Sequence, residues 1–132
     1  MVPKGAIMVR ILTILAIVIA LGATAVTQPA DDGRRAGIVL MRTINTAENA
    51  IRSQTGKYVD LAGLVNHKIM ESLRADFTSN GTFTFYQGRE VRLVISPDGS
   101  RYHAMVVPVD SCGFAIFSDD RGVIYTGKVL DC

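Results

Sequence analysis

Residues able to do chemistry are few in this chain and far apart. His67 and His103 are the two histidines, and Cys112 and Cys132 the two cysteines. A thiol–imidazole pair needs the ring nitrogen within hydrogen-bond reach of the sulfur. His67 falls on the polar side of a predicted helix and His103 within a predicted strand, so both are expected as surface or hydrogen-bonded residues rather than partners of Cys112. Asp119-Asp120 offers adjacent carboxylates of the kind hard cations take, yet in an Asp-Asp-Arg-Gly sequence they read first as solvated turn residues. Asp98-Gly99 reads as a hairpin turn. There is no phosphate-cradling glycine loop, no zinc-ligand spacing and no nucleophile elbow. The expectation is a non-catalytic protein with no cofactor and no metal. Thiol-dependent catalysis is the last of the alternatives.

The cysteines take a structural reading from the compartment. Lys4 and Arg10 precede an apolar run, Ile11 to Leu21, interrupted only by Thr13. Gly22-Ala23-Thr24-Ala25 follows, with Ala23 and Ala25 at the −3 and −1 positions of a cleavage site and Val26 as the first mature residue. This is the layout of a secretory signal, and Met8 is an alternative start. The other reading is a membrane anchor through residues 6–26, because no charge falls between Ile11 and Ala30. Cleavage is favoured, since a spanning helix needs ~20 apolar residues and this run is shorter. Either way the head is exported, to the periplasm or the extracellular space. There, Cys112 and Cys132 read as a disulfide. It would close a loop of ~21 residues, for which chain entropy gives about 3 kcal/mol.

Loss of residues 1–25 would also remove Lys4 and Arg10 and no acid, so 14 bases against 12 acids would become 12 against 12. A near-neutral head has no electrostatic footprint for a phosphate backbone, and nucleic acid is not expected as a partner.

Residues 26–35 are polar, include Pro29 and Gly33, and read as a linker. Residues 36–132 then form one domain. From Ala36 to about Ser53, Ile38, Met41, Ile44, Ala47, Ala50 and Ile51 recur at helical spacing, while Arg42, Asn45, Glu48 and Arg52 are placed largely elsewhere on the wheel. Gly56 ends this amphipathic helix. A second, shorter helix is predicted from Leu61 to Arg74, with Asp60 as N-cap and a Glu71–Arg74 pair on its exposed side.

Turn signals dominate after Asp76: Asn80-Gly81, Gln87-Gly88, Pro97-Asp98-Gly99 and Asp120-Arg121-Gly122. They separate predicted strands at Thr82–Tyr86, Glu90–Ser96, Arg101–Val109, Gly113–Ser118 and Val123–Lys128. Val91, Leu93 and Ile95 alternate with Arg92 and Val94, giving one face more buried than the other. Phe83, Phe85, Tyr86, Tyr102, Phe114, Phe117 and Tyr125 suffice for a core; an exposed aromatic strip for carbohydrate or a protein partner is the alternative. The fold class expected is α+β: two helices on a four- to five-stranded antiparallel sheet, with a C-terminal disulfide loop.

The run Leu40-Met41-Arg42-Thr43-Ile44-Asn45-Thr46-Ala47-Glu48 resembles the helix segment of type IV pilin-like and pseudopilin-like proteins. Gly56-Lys57-Tyr58 with Leu61-Ala62-Gly63-Leu64 resembles their next stretch, and Gly113-Phe114-Ala115-Ile116 with Gly122-Val123-Ile124-Tyr125 their last strands. The resemblance covers about residues 33–132. It implies an interaction domain of the cell envelope whose partners are pilin-type or other envelope proteins. The N-terminus departs from the family. Lys4-Gly5 imitates a prepilin leader, but Arg10 stands where the family has a glutamate, and Pro29 to Gly33 is expected to interrupt the helix. A monomeric head that does not build filaments by itself is therefore expected. A small secreted binding or inhibitor domain, unrelated to filaments, is the other reading.

Overall fold

A computed structural model describes residues 29–109 and 113–128, with side chains from Gly33 onward. Cys112 and Cys132, the cleavage site at Ala23, Ala25 and Val26, and residues 6–26 lie outside the described residues.

Helix α1 (Pro29–Thr55) is longer than its periodicity suggests. Residues 29–35, expected as linker, form its first turns. Proline's fixed φ and missing N–H suit the opening position of a helix. At the other end Gly56 adopts φ +82° and its N–H donates to the Arg52 carbonyl at 2.8 Å. A side chain with a Cβ is strained in that left-handed conformation, so the helix stops at the glycine.

The second helix is much shorter than expected. α2 spans Leu61–Val65, and the Asp60 carboxylate accepts from the Gly63 N–H at 2.8 Å, which makes Asp60 the N-cap. Beyond Val65 the chain turns into 3-10 segments at Lys68–Met70 and Arg74–Asp76. His67 adopts an extended conformation, and its Nδ1 accepts from the Ile69 N–H at 3.3 Å. Instead of lying on a helix face beside Glu71, Arg74 donates to the carbonyls of Val65 and Asn66, both at 3.0 Å. Those are orphaned acceptors at a helix end, and a guanidinium fork satisfies two of them together.

Six strands follow as an antiparallel meander in sequential order: β1 (Phe77–Ser79), β2 (Thr84–Tyr86), β3 (Arg89–Ile95), β4 (Tyr102–Pro108), β5 (Phe114–Asp119) and β6 (Ile124–Lys128). The architecture is α+β, with six strands in place of four to five. The added strand is β1, whose three residues pair Phe77 with Tyr86 and Ser79 with Thr84 across the Asn80-Gly81 turn. Three residues are too few for an alternating pattern to register in sequence.

α1 packs on β4, β5 and β6. Leu40, Met41, Ile44, Ala47 and Ile51 meet Val91, Tyr102, Ala104, Val106 and Ile116 in the core. Burying a leucine or isoleucine side chain contributes about 1.5–3 kcal/mol, so these contacts dominate the stability of the pair of layers. Helix and sheet approach closely at Gly37, where a Cβ would collide with Ile116 Cδ1.

The polar side of α1 was misassigned at two positions. Asn45 is 7% exposed and Glu48 is completely buried. Asn45 lies four residues after Met41, and Glu48 lies four after Ile44 and seven after Met41, so helical geometry puts both on the core face whatever their polarity.

Candidate functional site

Two arrangements stand out, one inside the helix–sheet junction and one on the far side of the sheet. Inside, Asn45 is the hub. Its Oδ1 accepts from the Tyr102 hydroxyl at 2.7 Å. Its Nδ2 donates to Ser118 Oγ at 2.8 Å and to the Gly122 carbonyl at 3.3 Å. Ser118 Oγ donates in turn to the Val123 carbonyl at 3.0 Å. One asparagine on α1 thus bonds to β4, β5 and the β5–β6 turn. A satisfied buried network of this kind fixes a single register, because any slip leaves polar groups unpaired.

One turn further on, Glu48 is less well provided for. Its Oε2 accepts from the Val59 N–H at 3.2 Å, while Oε1 has no hydrogen-bond partner among the described residues. Burial pushes its carboxyl up from 4.5 to about 7; the Val59 bond opposes that and the Asp60 carboxylate adds to it. Beside it, Tyr58 and Tyr102 meet edge-on with ring centroids 4.7 Å apart. The Tyr102 hydroxyl is pushed up as well, chiefly by burial, then by Tyr58 and Glu48. Arg52 donates to the Tyr58 hydroxyl at 2.8 Å, and the Tyr58 N–H donates to the Gly99 carbonyl at 3.0 Å. The cluster joins α1, the 56–60 loop and the β3–β4 hairpin through these bonds.

The outer face of the sheet has no helix over it among the described residues. Register carries one row straight across four strands: Arg92 opposite Met105, Met105 opposite Phe117, Phe117 opposite Tyr125. The next row sets Val94 opposite His103 and His103 opposite Asp119. Val94 is 62% exposed, Tyr125 49% and Phe117 37%. A depression of about 390 Å³ opens between Arg92, Val94, His103, Met105 and Phe117. Apolar side chains thus cluster on this face, with the charged Arg92 and Asp119 at its margin.

The aromatic residues named from sequence therefore divide. Tyr86 and Tyr102 belong to the core, whereas Phe117 and Tyr125 form a cross-strand pair outside it and Phe83 is exposed near the β1–β2 turn. His67 lies between α2 and the first 3-10 segment, and His103 lies on β4, so the two are not brought together. The Asp119 carboxylate accepts from the Arg121 side chain and backbone N–H, and these bonds hold it below the usual carboxylate range. Asp98 is likewise committed, accepting from Ser96 and Ser100 in the β3–β4 turn. No group of three or more His, Cys, Asp or Glu residues suited to a metal ion occurs among the described residues. Among the same residues, no helix is long and apolar enough to cross a membrane.

Sequence reasoning missed Asn45 and Glu48 as buried polar residues, although their spacing from Met41 and Ile44 was a usable signal. It also could not find the Arg92–Met105–Phe117–Tyr125 row, because strand register is not written in any one strand. Compared with protein-family models, with curated proteins and with solved structures, the chain matches none.

Proposed function

We propose that this chain is an exported, non-catalytic interaction domain of pilin-like type, acting at the cell envelope or outside the cell through the uncovered face of its sheet. The observation that carries this reading is the in-register row of Met105, Phe117 and Tyr125 with exposed Val94 beside it. Such a face costs solubility unless a partner covers it. The Leu40–Glu48 run that resembles pilin-like helices supports the family part of the reading. Leu40, Met41, Ile44, Asn45, Ala47 and Glu48 all face the sheet, so that run determines how helix and sheet meet.

The partners proposed are pilin-type subunits or other envelope proteins, and the head joins them as an accessory rather than as a filament-forming subunit. Arg10, in the position of the family's glutamate, would add like charge to a neighbouring N-terminus, at a cost of several kcal/mol if buried unpaired. Native cross-linking and copurification from the host test this. Pilin-type subunits should be retained by the parent and lost with the Phe117→Glu, Tyr125→Glu double variant. A soluble monomer with no such association would favour a secreted binding or inhibitor domain instead. Electron microscopy of the exported protein should show no fibres, and homopolymers containing residues 6–25 would overturn the accessory role.

A further inference from the structure

From Gly33 to Thr55 the exposed side of α1 is charged in one sense only. Between Gly33 and Thr55 the one acid is Glu48, and it is buried. Arg34, Arg35 and Arg42 are all exposed, and they bracket Ile38 and Val39 in a shallow depression of about 250 Å³. Val39 is 48% exposed. Arg34 also stacks its guanidinium 4.9 Å from the Phe114 ring centroid, which leaves its charge in place while fixing its direction. Further along the same face come Thr46, Asn49 and Ser53, all uncharged and exposed. Asp31 and Asp32 precede the stripe in the first turns of the helix; Arg42 lies ten residues beyond Asp32, about 15 Å along the axis.

From this surface we propose that the head seats the Arg34–Arg35–Arg42 stripe of α1 on an anionic lipid surface, with Val39 entering the headgroup layer. Three arginines around a protruding valine offer cations to phosphate groups and a short apolar side chain to the acyl boundary, the combination used by interfacial helices. The position of the stripe in the chain favours lipid over a soluble acidic partner. The apolar run Ile11–Leu21 lies upstream, and because α1 is already helical from Pro29, the chain from Leu21 to Arg34 reaches at most about 35 Å. A bilayer that held that run would lie within range of the stripe. This contact is separate from any made by residues 6–26, and it lies on the opposite layer from the sheet's outer face, so it does not depend on what covers that face.

The chain has no tryptophan, so Val39→Trp introduces a single indole at the centre of the stripe. The full chain carrying V39W is titrated with vesicles rich in phosphatidylglycerol and with vesicles of phosphatidylcholine alone. The expected result is a blue shift and quenching by brominated acyl chains on the anionic vesicles only, reversed by high salt. One arginine near an anionic surface is worth about a fivefold change in binding. R35E together with R42E should therefore weaken binding by at least about 25-fold. Should that pair lose its helical signal, R35Q with R42Q replaces it with a smaller expected loss. The proposal fails if the indole does not shift, if it shifts equally on phosphatidylcholine, or if soluble polyglutamate shifts it while vesicles do not. Because the indole reports only on Val39, vesicle attachment through residues 6–26 does not mimic a positive result.

Discussion

Raising the pH from about 5 to about 8 should weaken this fold, and replacing Glu48 by glutamine should abolish most of that loss. Glu48 is completely buried, one carboxylate oxygen has no partner among the described residues, and its carboxyl is pushed up from 4.5 to about 7, chiefly by burial. Below pH 4.5 the folded and unfolded chains both hold the proton, and the full contribution of the neutral side chain is present. Between 4.5 and about 7 the unfolded chain releases the proton while the folded chain keeps it, so stability falls by about 1.4 kcal/mol per pH unit. Above about 7 both states are ionised and the decline stops. Across that window the loss amounts to roughly 3 kcal/mol, a large part of a small domain's total stability. Glutamine keeps the shape and retains an acceptor for the Val59 N–H, but cannot ionise. Urea unfolding followed by far-ultraviolet circular dichroism, at several pH values across the window, measures both proteins. Glu48→Gln should be the more stable above pH 7 and should lose its advantage toward pH 5. Parent and variant differ in this one side chain, so the difference between their curves isolates Glu48. Parallel curves for parent and variant would refute the reasoning and place the carboxylate in contact with water or a cation.

Tyr102→Phe removes the hydroxyl that Asn45 accepts from and should cost about 1–3 kcal/mol; a double-mutant cycle with Asn45→Ala, read by the same unfolding assay, should show strong coupling. Ile44→Asp places an unpaired charge in the core and should unfold the protein at ordinary temperature, whereas Arg42→Asp on the exposed side should leave the thermal midpoint within a few degrees. Gly37→Val should destabilise far more than Gly63→Ala, because Ile116 stands against Gly37 within the core; calorimetry decides between them. Cys132→Ser should lower stability by about 2–4 kcal/mol if Cys112 is its partner, and alkylation of the native exported protein should find no free thiol.

The central helix was legible because Met41, Ile44, Ala47 and Ile51 repeat at the helical period, and its end because Gly56 can take a positive φ. Four of the sheet's turns were legible for the same local reason, since Asn80-Gly81, Gln87-Gly88, Asp98-Gly99 and Arg121-Gly122 supply residues that tolerate left-handed backbone. Failures occurred where tertiary contacts outweighed local preference. Asn45 and Glu48 look like surface residues by type, but the sheet accepts one through Tyr102 and Ser118 and buries the other beside Tyr58. The expected helix from Leu61 to Arg74 breaks at His67, where Arg74 folds back onto the carbonyls that a longer helix would have used.

The sequence by itself determined the kind of architecture and its punctuation: a long amphipathic helix, then a meander of strands between glycine turns. Each of those choices is set by backbone preference and the hydrophobic period over a few neighbouring residues. Tertiary structure alone decided the two surface features on which the proposed partner contact and the proposed lipid contact rest. Register across four strands, fixed by the hydrophobic inner face, aligns Arg92, Met105, Phe117 and Tyr125 into one outward row. Packing of α1 onto β4, β5 and β6 sends its single acid after Gly33 into the core and turns Arg34, Arg35 and Arg42 to solvent. Neither could be read from composition, because a near-neutral count of charges says nothing about which of them share a face.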